Sequence, residues 1–243
     1  MLPFLTLGPL AIPSKPFVFI IGFFAALWLV DTIIDQIDAD PEWTRSTAFN
    51  AIILGMIGGR LVFAAIHWEA SLASPSSVIW PITFGYSLWG AVVSGVLVLA
   101  YNCRNQGIPI LKMLDALIEP ILILLAAWVI GDYLGGPGYG APSTMNWFPI
   151  HPVHLYEVVV ILITFFMVRR MRPSKQFDGW VLFVSCLLLA FGFLITLNFR
   201  GGSVTIGNGW QINQIAAFFA LIITLLALVW WSPNSSKESL TSS

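Results

Sequence analysis

Two of the chain's three histidines lie within the seven-residue segment HPVHLYE, at positions 151–157. His154 and Glu157 are three residues apart, so a helix places them as neighbours on one face, with Tyr156 beside them. An imidazole next to a carboxylate is suited to moving protons near neutral pH. We therefore predict catalytic roles for these three side chains, and only a helix entrance for the segment's first two residues. An ordinary hydrogen bond at the membrane interface is the alternative interpretation of the His154 and Glu157 pair.

Arg60, in the segment MIGGRLVF, lies deep within an apolar stretch that runs from residue 48 to residue 68. At 1.5 Å per residue it is about 18 Å from the beginning of that stretch. An arginine at the centre of a membrane helix costs roughly 2.5 to 3.5 kcal/mol on insertion, so it must face protein, water or an anion. We predict that Arg60 binds a lipid phosphate; a structural ion pair or an upward-reaching side chain is the alternative.

A second group of residues has features suited to binding an anion. The segment 131–140, GDYLGGPGYG, is rich in glycine, and successive backbone N–H groups in such loops can surround a phosphate. Gly131 and Gly140 are therefore candidates for lipid or phosphate binding, and Asp132 adds a possible acidic group at the outer leaflet, which we include among the lipid-binding candidates. Arg200, in the segment NFRGG, can donate two hydrogen bonds to a phosphate. The alternatives for the glycine-rich loop are a simple turn or a re-entrant segment buried within protein, and the alternative for Arg200 is an interfacial anchor.

The composition indicates where this chemistry takes place. The chain has 243 residues, of which 58% are hydrophobic and 9% charged, with a mean hydropathy of +0.86. In soluble domains about a quarter of the residues are charged, so this chain is predicted to be an integral membrane protein. A net charge of -1 argues against nucleic-acid binding, which depends on phosphate neutralisation. Cys103 and Cys186 are too far apart for a metal-binding spacing, and we expect neither a metal nor a cofactor.

The apolar stretches predict an all-α fold with seven transmembrane helices, since a span needs about 20 apolar residues. The predicted spans are 17–35, 48–68, 80–102, 110–130, 153–170, 180–198 and 211–231.

The basic residues predict the orientation of these spans. On one side of the membrane lie Arg45, Arg104, Lys112, Arg169, Arg170, Arg172, Lys175 and Lys237, and on the other only Lys15 and Arg200. By the positive-inside rule the N-terminus and the HPVHLYE segment are outside, and the C-terminus is cytoplasmic. We expect a single domain over residues 1–231, followed by a polar, disordered tail at 232–243.

The order of the motifs resembles that of the bacterial prolipoprotein diacylglyceryl transferases. The matching segments are LGPLAI (7–12), GGRLVF (58–63), GYSLWGA (85–91), LDALIEP (114–120), GDYLGGPGYG (131–140), HPVHLYE (151–157) and NGWQINQ (208–214). The resemblance implies a seven-span enzyme of the bacterial plasma membrane with an outer N-terminus. It also implies transfer of the diacylglyceryl group of phosphatidylglycerol to the cysteine thiol of a prolipoprotein signal peptide. The positions that match family motif residues are Arg60, Gly131, Gly140, Tyr156, Glu157, Arg200 and Gln214.

Several motif positions differ from that pattern. Trp89 replaces a histidine, Val129 an arginine, Asp132 an asparagine and Pro137 a glutamate. Tryptophan cannot accept a proton, and valine cannot hold a phosphate. Three functions therefore remain open: a divergent transferase, a relative that binds phospholipid or a membrane partner without transfer, and a small anion or proton carrier.

Overall fold

The computed structural model describes residues 4–7, 10–34, 37, 39–76, 85–136, 140–144, 149–202, 205–206 and 210–241. Their elements are, in chain order, β1 Phe4–Leu7, β2 Leu10–Pro13, α1 Ser14–Ile33, α2 Pro41–Ile66, α3 Trp68–Ala73, α4 Leu88–Gln106, α5 Ile110–Gly135, α6 Val153–Met171, the 3-10 turn Arg172–Ser174, α7 Trp180–Thr196, the 3-10 turn Leu197–Phe199, β3 Thr205–Ile206, β4 Trp210–Gln211 and α8 Ile212–Thr241. The two strand pairs are short antiparallel hairpins, so the described fold is mostly helical.

Among the described residues, five helical segments are long and apolar enough to cross a membrane. They are Ser14–Ile33, Pro41–Ile66, Ile110–Gly135, Trp180–Phe199 and Ile212–Trp231. Large apolar side chains on these helices face outward, among them Phe24, Leu61 and Trp230. Such exposure suits a lipid environment, where the backbone is satisfied within each helix and apolar side chains meet acyl chains.

Two of the seven predicted spans do not meet the same criteria. The span predicted at 80–102 corresponds to α4, and its first residues lie outside the described part of the chain. The span predicted at 153–170 corresponds to α6, which has polar residues in its first turn and Arg169 and Arg170 in its last. The polar ends of α6 shorten its apolar stretch. The spans at 80–102 and 153–170 therefore remain predictions.

The chain divides into two compact units. Unit A contains Met1–Ala26 and Ile118–Ser243, and unit B contains Leu27–Leu117. The single domain that the sequence predicts over residues 1–231 stays a prediction, because two compact units can belong to one domain. The last helix continues to Thr241, through most of the segment predicted to be a disordered tail, and side chains are described only to Trp231.

Unit B is built on close packing of α2 against α4. A Cβ added to Gly59 would lie 2.8 Å from the backbone oxygen of Ser87, so only glycine allows the two backbones to approach so closely. The backbone N–H of Ser87 donates to the oxygen of Gly59 at 3.0 Å, and the Ser87 hydroxyl caps α4 by accepting from the Gly90 N–H at 3.2 Å. This contact fixes the backbone position of Arg60, the residue that follows Gly59.

Unit A contains helices α6, α7 and α8, the greater part of α5, and the beginning of α1. Glu119 on α5 is buried, and the Arg172 guanidinium donates to its carboxylate at 2.8 Å. Arg169 on α6 approaches the other carboxylate oxygen at 4.0 Å. The ion pair therefore joins α5 to the end of α6.

The Glu119 and Arg172 pair gives a stability prediction. Replacing Arg172 by Met removes the nearer cation from a buried carboxylate, which destabilises a protein by about 3 kcal/mol. We expect Arg172→Met to lower the free energy of unfolding in detergent micelles by that order, measured by tryptophan fluorescence during denaturant titration. Arg170→Met is the matched control, because Arg170 is exposed. Equal effects of the two substitutions would contradict the prediction.

Candidate functional site

The predicted contact between His154 and Glu157 is present in the first turn of α6. The backbone oxygen of Pro152 accepts from the Leu155 N–H at 2.9 Å, which begins the helix directly after the proline. Nδ1 of His154 and Oε2 of Glu157 are 3.1 Å apart, and the two residues are only 8% and 9% exposed. A buried carboxylate at this distance can orient an imidazole through one of its ring nitrogens.

Tyr156 contacts a different partner. Its hydroxyl lies 3.2 Å from Nδ1 of His151, and the rings of both residues pack against Phe199, with centroid distances of 5.6 and 5.0 Å. The sequence assigns His151 only to the helix entrance, so this interaction was missed. The signal available was the occurrence of a second histidine within the same seven residues.

Gly140 and Arg200 come together through their backbones. They form an antiparallel bridge, and the neighbouring Ala141 donates to the Phe199 oxygen at 2.8 Å and accepts from the His151 N–H at 3.0 Å. A Cβ at Gly140 would lie 1.9 Å from the His151 oxygen. The structure thus gives Gly140 a close-approach role in a cluster with His151 and Arg200, whereas phosphate binding there remains a prediction.

Gly131 and Asp132 lie near the end of α5 and both contact Lys15. Lys15 Nζ donates a hydrogen bond to the Asp132 carboxylate and lies 4.5 Å from the centroid of the Trp128 ring. A Cβ at Gly131 would be 3.3 Å from the Lys15 backbone. The sequence analysis uses Lys15 only to predict the orientation of the spans. It therefore missed the pairing of Lys15 with Asp132.

Gln214, at the beginning of α8, donates through Nε2 to Oδ1 of Asn198 at 3.0 Å. The two amides border a cavity of about 410 Å³ whose other lining residues are Leu194, Ile215 and Phe218. Asn198 was not predicted from the sequence, because a single asparagine at the end of an apolar helix has no distinguishing pattern.

Arg60 belongs to unit B and is 7% exposed. Its Nη1 donates to the Gly85 oxygen at 3.4 Å, and its guanidinium carbon lies 4.9 Å from the centroid of the Tyr86 ring. An aromatic face stabilises a guanidinium that has left water. His154 and Glu157 belong to unit A, and binding of a lipid phosphate by Arg60 stays a prediction.

The replaced motif positions lie in different surroundings. Trp89 is 78% exposed in the first turn of α4, and Val129 is buried in α5. Pro137 lies outside the described residues. Among the residues that the structure describes, no group of three His, Cys, Asp or Glu side chains is placed to hold a metal ion.

A model of the family described as prolipoprotein diacylglyceryl transferase matches residues 3–231. The chain belongs to this family. It is therefore a multi-pass membrane protein, in agreement with its apolar helices, and the family predicted from the motifs is confirmed.

Individual relatives agree with this assignment. A protein of Mycobacterium tuberculosis named phosphatidylglycerol–prolipoprotein diacylglyceryl transferase is 32% identical over 92% of this chain and 55% of its own length. Proteins with the same name in Corynebacterium diphtheriae and Pseudomonas fluorescens are 22% and 24% identical, over 97% and 95% of this chain and 93% and 92% of their own lengths. The chain spans about half the length of the mycobacterial relatives it matches.

The cluster at Gly140 gives a local prediction. Adding a methyl group there forces apart two backbones, and overpacking of this kind costs about 1 to 3 kcal/mol. We expect Gly140→Ala to open the bridge to Arg200 and to accelerate tryptic cleavage after Arg200 by about tenfold, measured by mass spectrometry of digested proteoliposomes.

Gly136→Ala is the control for this experiment, because a Cβ at Gly136 would meet no described atom within 4 Å. Unchanged cleavage in Gly140→Ala would show that the bridge does not protect Arg200.

Proposed function

We propose that this chain transfers the diacylglyceryl group of phosphatidylglycerol to the cysteine thiol of a prolipoprotein, at the outer face of the bacterial plasma membrane. The buried His154 and Glu157 pair, within a chain that matches the transferase family over residues 3–231, carries this proposal. The proposal includes seven spans in one domain, with the N-terminus outside and the C-terminus in the cytoplasm. The protein substrate is recognised through its signal peptide.

The reaction is a displacement at carbon. The cysteine thiol loses its proton to a base. The sulfur then attacks the carbon of the diacylglyceryl group that is bonded to the phosphate oxygen. That carbon–oxygen bond breaks, its electron pair leaves with glycerol phosphate, and a thioether remains. The reaction therefore needs a base for the thiol and positive groups for the departing phosphate.

His154 is the proposed base. Because its Nδ1 is engaged by the Glu157 carboxylate, the neutral imidazole carries its proton on that nitrogen and presents the lone pair of Nε2. Glu157 then stabilises the imidazolium that forms when the thiol proton arrives. Tyr156, in the same helix turn, is the third proposed catalytic residue. Its hydroxyl contacts Nδ1 of His151.

Arg60, in unit B, and Arg200, in unit A, are each proposed as a cation that binds a lipid phosphate. The burial of Arg60 and its contact with Tyr86 support a guanidinium held in one orientation, which strengthens its interaction with an anion in a low-dielectric site. The remaining proposed lipid-binding residues are Gly131, Asp132, Gly140 and Gln214.

One alternative is favoured by specific residues. A relative that binds phospholipid without transfer would explain why Trp89 and Val129 replace a histidine and an arginine expected from the resemblance. Trp89 is exposed on α4, where a large apolar ring suits lipid contact better than proton transfer.

Complementation separates these two functions. In a bacterial strain depleted of its own transferase, we expect the wild-type chain to restore lipidated prolipoprotein, detected by mass spectrometry of the thioether. His154→Phe and Glu157→Gln should each reduce transfer by about 10²- to 10⁴-fold, as for loss of a general base or its orienting group. His67→Phe is the matched control, since His67 is exposed. A wild-type chain that is abundant in the membrane yet gives no thioether would exclude the transferase.

Lipid binding tests the role of Arg60 separately from transfer. We expect Arg60→Met to reduce the phosphatidylglycerol that remains bound in native mass spectrometry by about tenfold, since a charge-assisted contact contributes about 1.5 to 3 kcal/mol. Arg104→Met, at an exposed position near the end of α4, should leave the bound lipid unchanged. Equal retention by both variants would remove Arg60 from the lipid site.

A further inference from the structure

Lys15, Asp132 and Trp128 form a cluster of which the proposed function uses only Asp132, as a lipid-binding residue. The Lys15 ammonium donates to Asp132 and lies over the Trp128 ring. The side chains of Lys15 and Asp132 are 41% and 33% exposed. The pair is thus accessible to a ligand on one side and held by protein on the other.

The positions of Lys15 and Asp132 at helix ends indicate that the cluster lies near lipid headgroups. Lys15 is in the first turn of α1 and Asp132 in the last turn of α5, and both helices are long and apolar enough to span a membrane. The ends of such helices lie near the membrane interface, where tryptophan rings are also enriched. A phospholipid headgroup is therefore the ligand that this cluster would meet.

Without Lys15, the Asp132 carboxylate would favour an ethanolamine headgroup over an anionic glycerol headgroup. A carboxylate repels the phosphate of an anionic lipid and attracts the ammonium of a phosphatidylethanolamine. The Lys15 ammonium cancels that negative charge at hydrogen-bond distance. The close contact of Gly131 with the Lys15 backbone and the Trp128 ring beneath its ammonium keep the cation in place.

We propose that Lys15 is a specificity-determining residue that makes this site prefer anionic glycerol headgroups over zwitterionic ethanolamine headgroups, by neutralising Asp132. This inference rests on the proposed function, because it requires Asp132 to lie at the lipid site. It assigns the pair a role in the choice of lipid rather than in proton transfer.

The test is a competition between two lipids. Wild-type chain, Lys15→Met, Asp132→Asn and the double variant are placed in nanodiscs with equal amounts of phosphatidylglycerol and phosphatidylethanolamine. Native mass spectrometry then measures the ratio of the two lipids that remain bound. Lys15→Met should shift the ratio toward ethanolamine by about two- to fivefold, the range expected for a half-exposed charge pair. Asp132→Asn should not shift it in that direction, and the double variant should return close to wild type.

A second lysine and aspartate pair supplies the control. Lys175 Nζ and Asp178 Oδ1 are 2.8 Å apart, with side chains 32% and 45% exposed, so Lys175→Met removes a comparable charge. It should leave the lipid ratio unchanged. If Lys15→Met does not fold, Lys15→Gln removes the same single charge and should give the same shift toward ethanolamine.

The outcomes distinguish this inference from the proposed function. A Lys15→Met variant that still binds phosphatidylglycerol with the wild-type ratio overturns the specificity role and leaves the transferase intact. Loss of thermal stability without a change in ratio gives the pair a structural role only. A wild-type chain that retains neither lipid and forms no thioether overturns the proposed function itself.

Discussion

Satisfying polar groups within a protein surrounded by lipid is the constraint on which this structure depends. An acyl-chain environment offers no water to a charged side chain, so each charge needs an internal partner or a place near the interface. Glu119 is buried against Arg172, His154 against Glu157, and the Arg60 guanidinium lies beside the Tyr86 ring. With so few charged residues in the chain, these contacts also mark the places where chemistry is possible.

Close approach of backbones is the second requirement. Gly59 allows α2 to touch Ser87, the residue that caps α4. Gly85 and Tyr86, which precede Ser87, contact Arg60. Gly140 has a similar role in the loops, where its contact with His151 brings the backbone of Arg200 into the same cluster. In both places a small residue positions a large cation nearby, so a substitution at glycine would act on the arginine indirectly.

The proposed active residues occupy two kinds of environment. The His154 and Glu157 pair is buried, where a low dielectric strengthens the interaction between imidazole and carboxylate. Lys15 and Asp132 are partly exposed near helix ends, where screening weakens the interaction of a charged pair. This difference in exposure supports the proposed roles of the buried pair in proton transfer and of the exposed pair in the choice of lipid.

The sequence by itself determined the membrane class, the approximate positions of the helices, the family, and the contact of His154 with Glu157. These follow from apolar length and from helical periodicity, which relate residues that are close along the chain. Only the tertiary structure decided that Lys15 pairs with Asp132, 117 residues away, that Arg172 pairs with Glu119, 53 residues away, and that Tyr156 contacts His151 and Phe199 rather than Glu157. A charge in the sequence carries no record of which distant partner neutralises it, because that choice is made by the packing of helices.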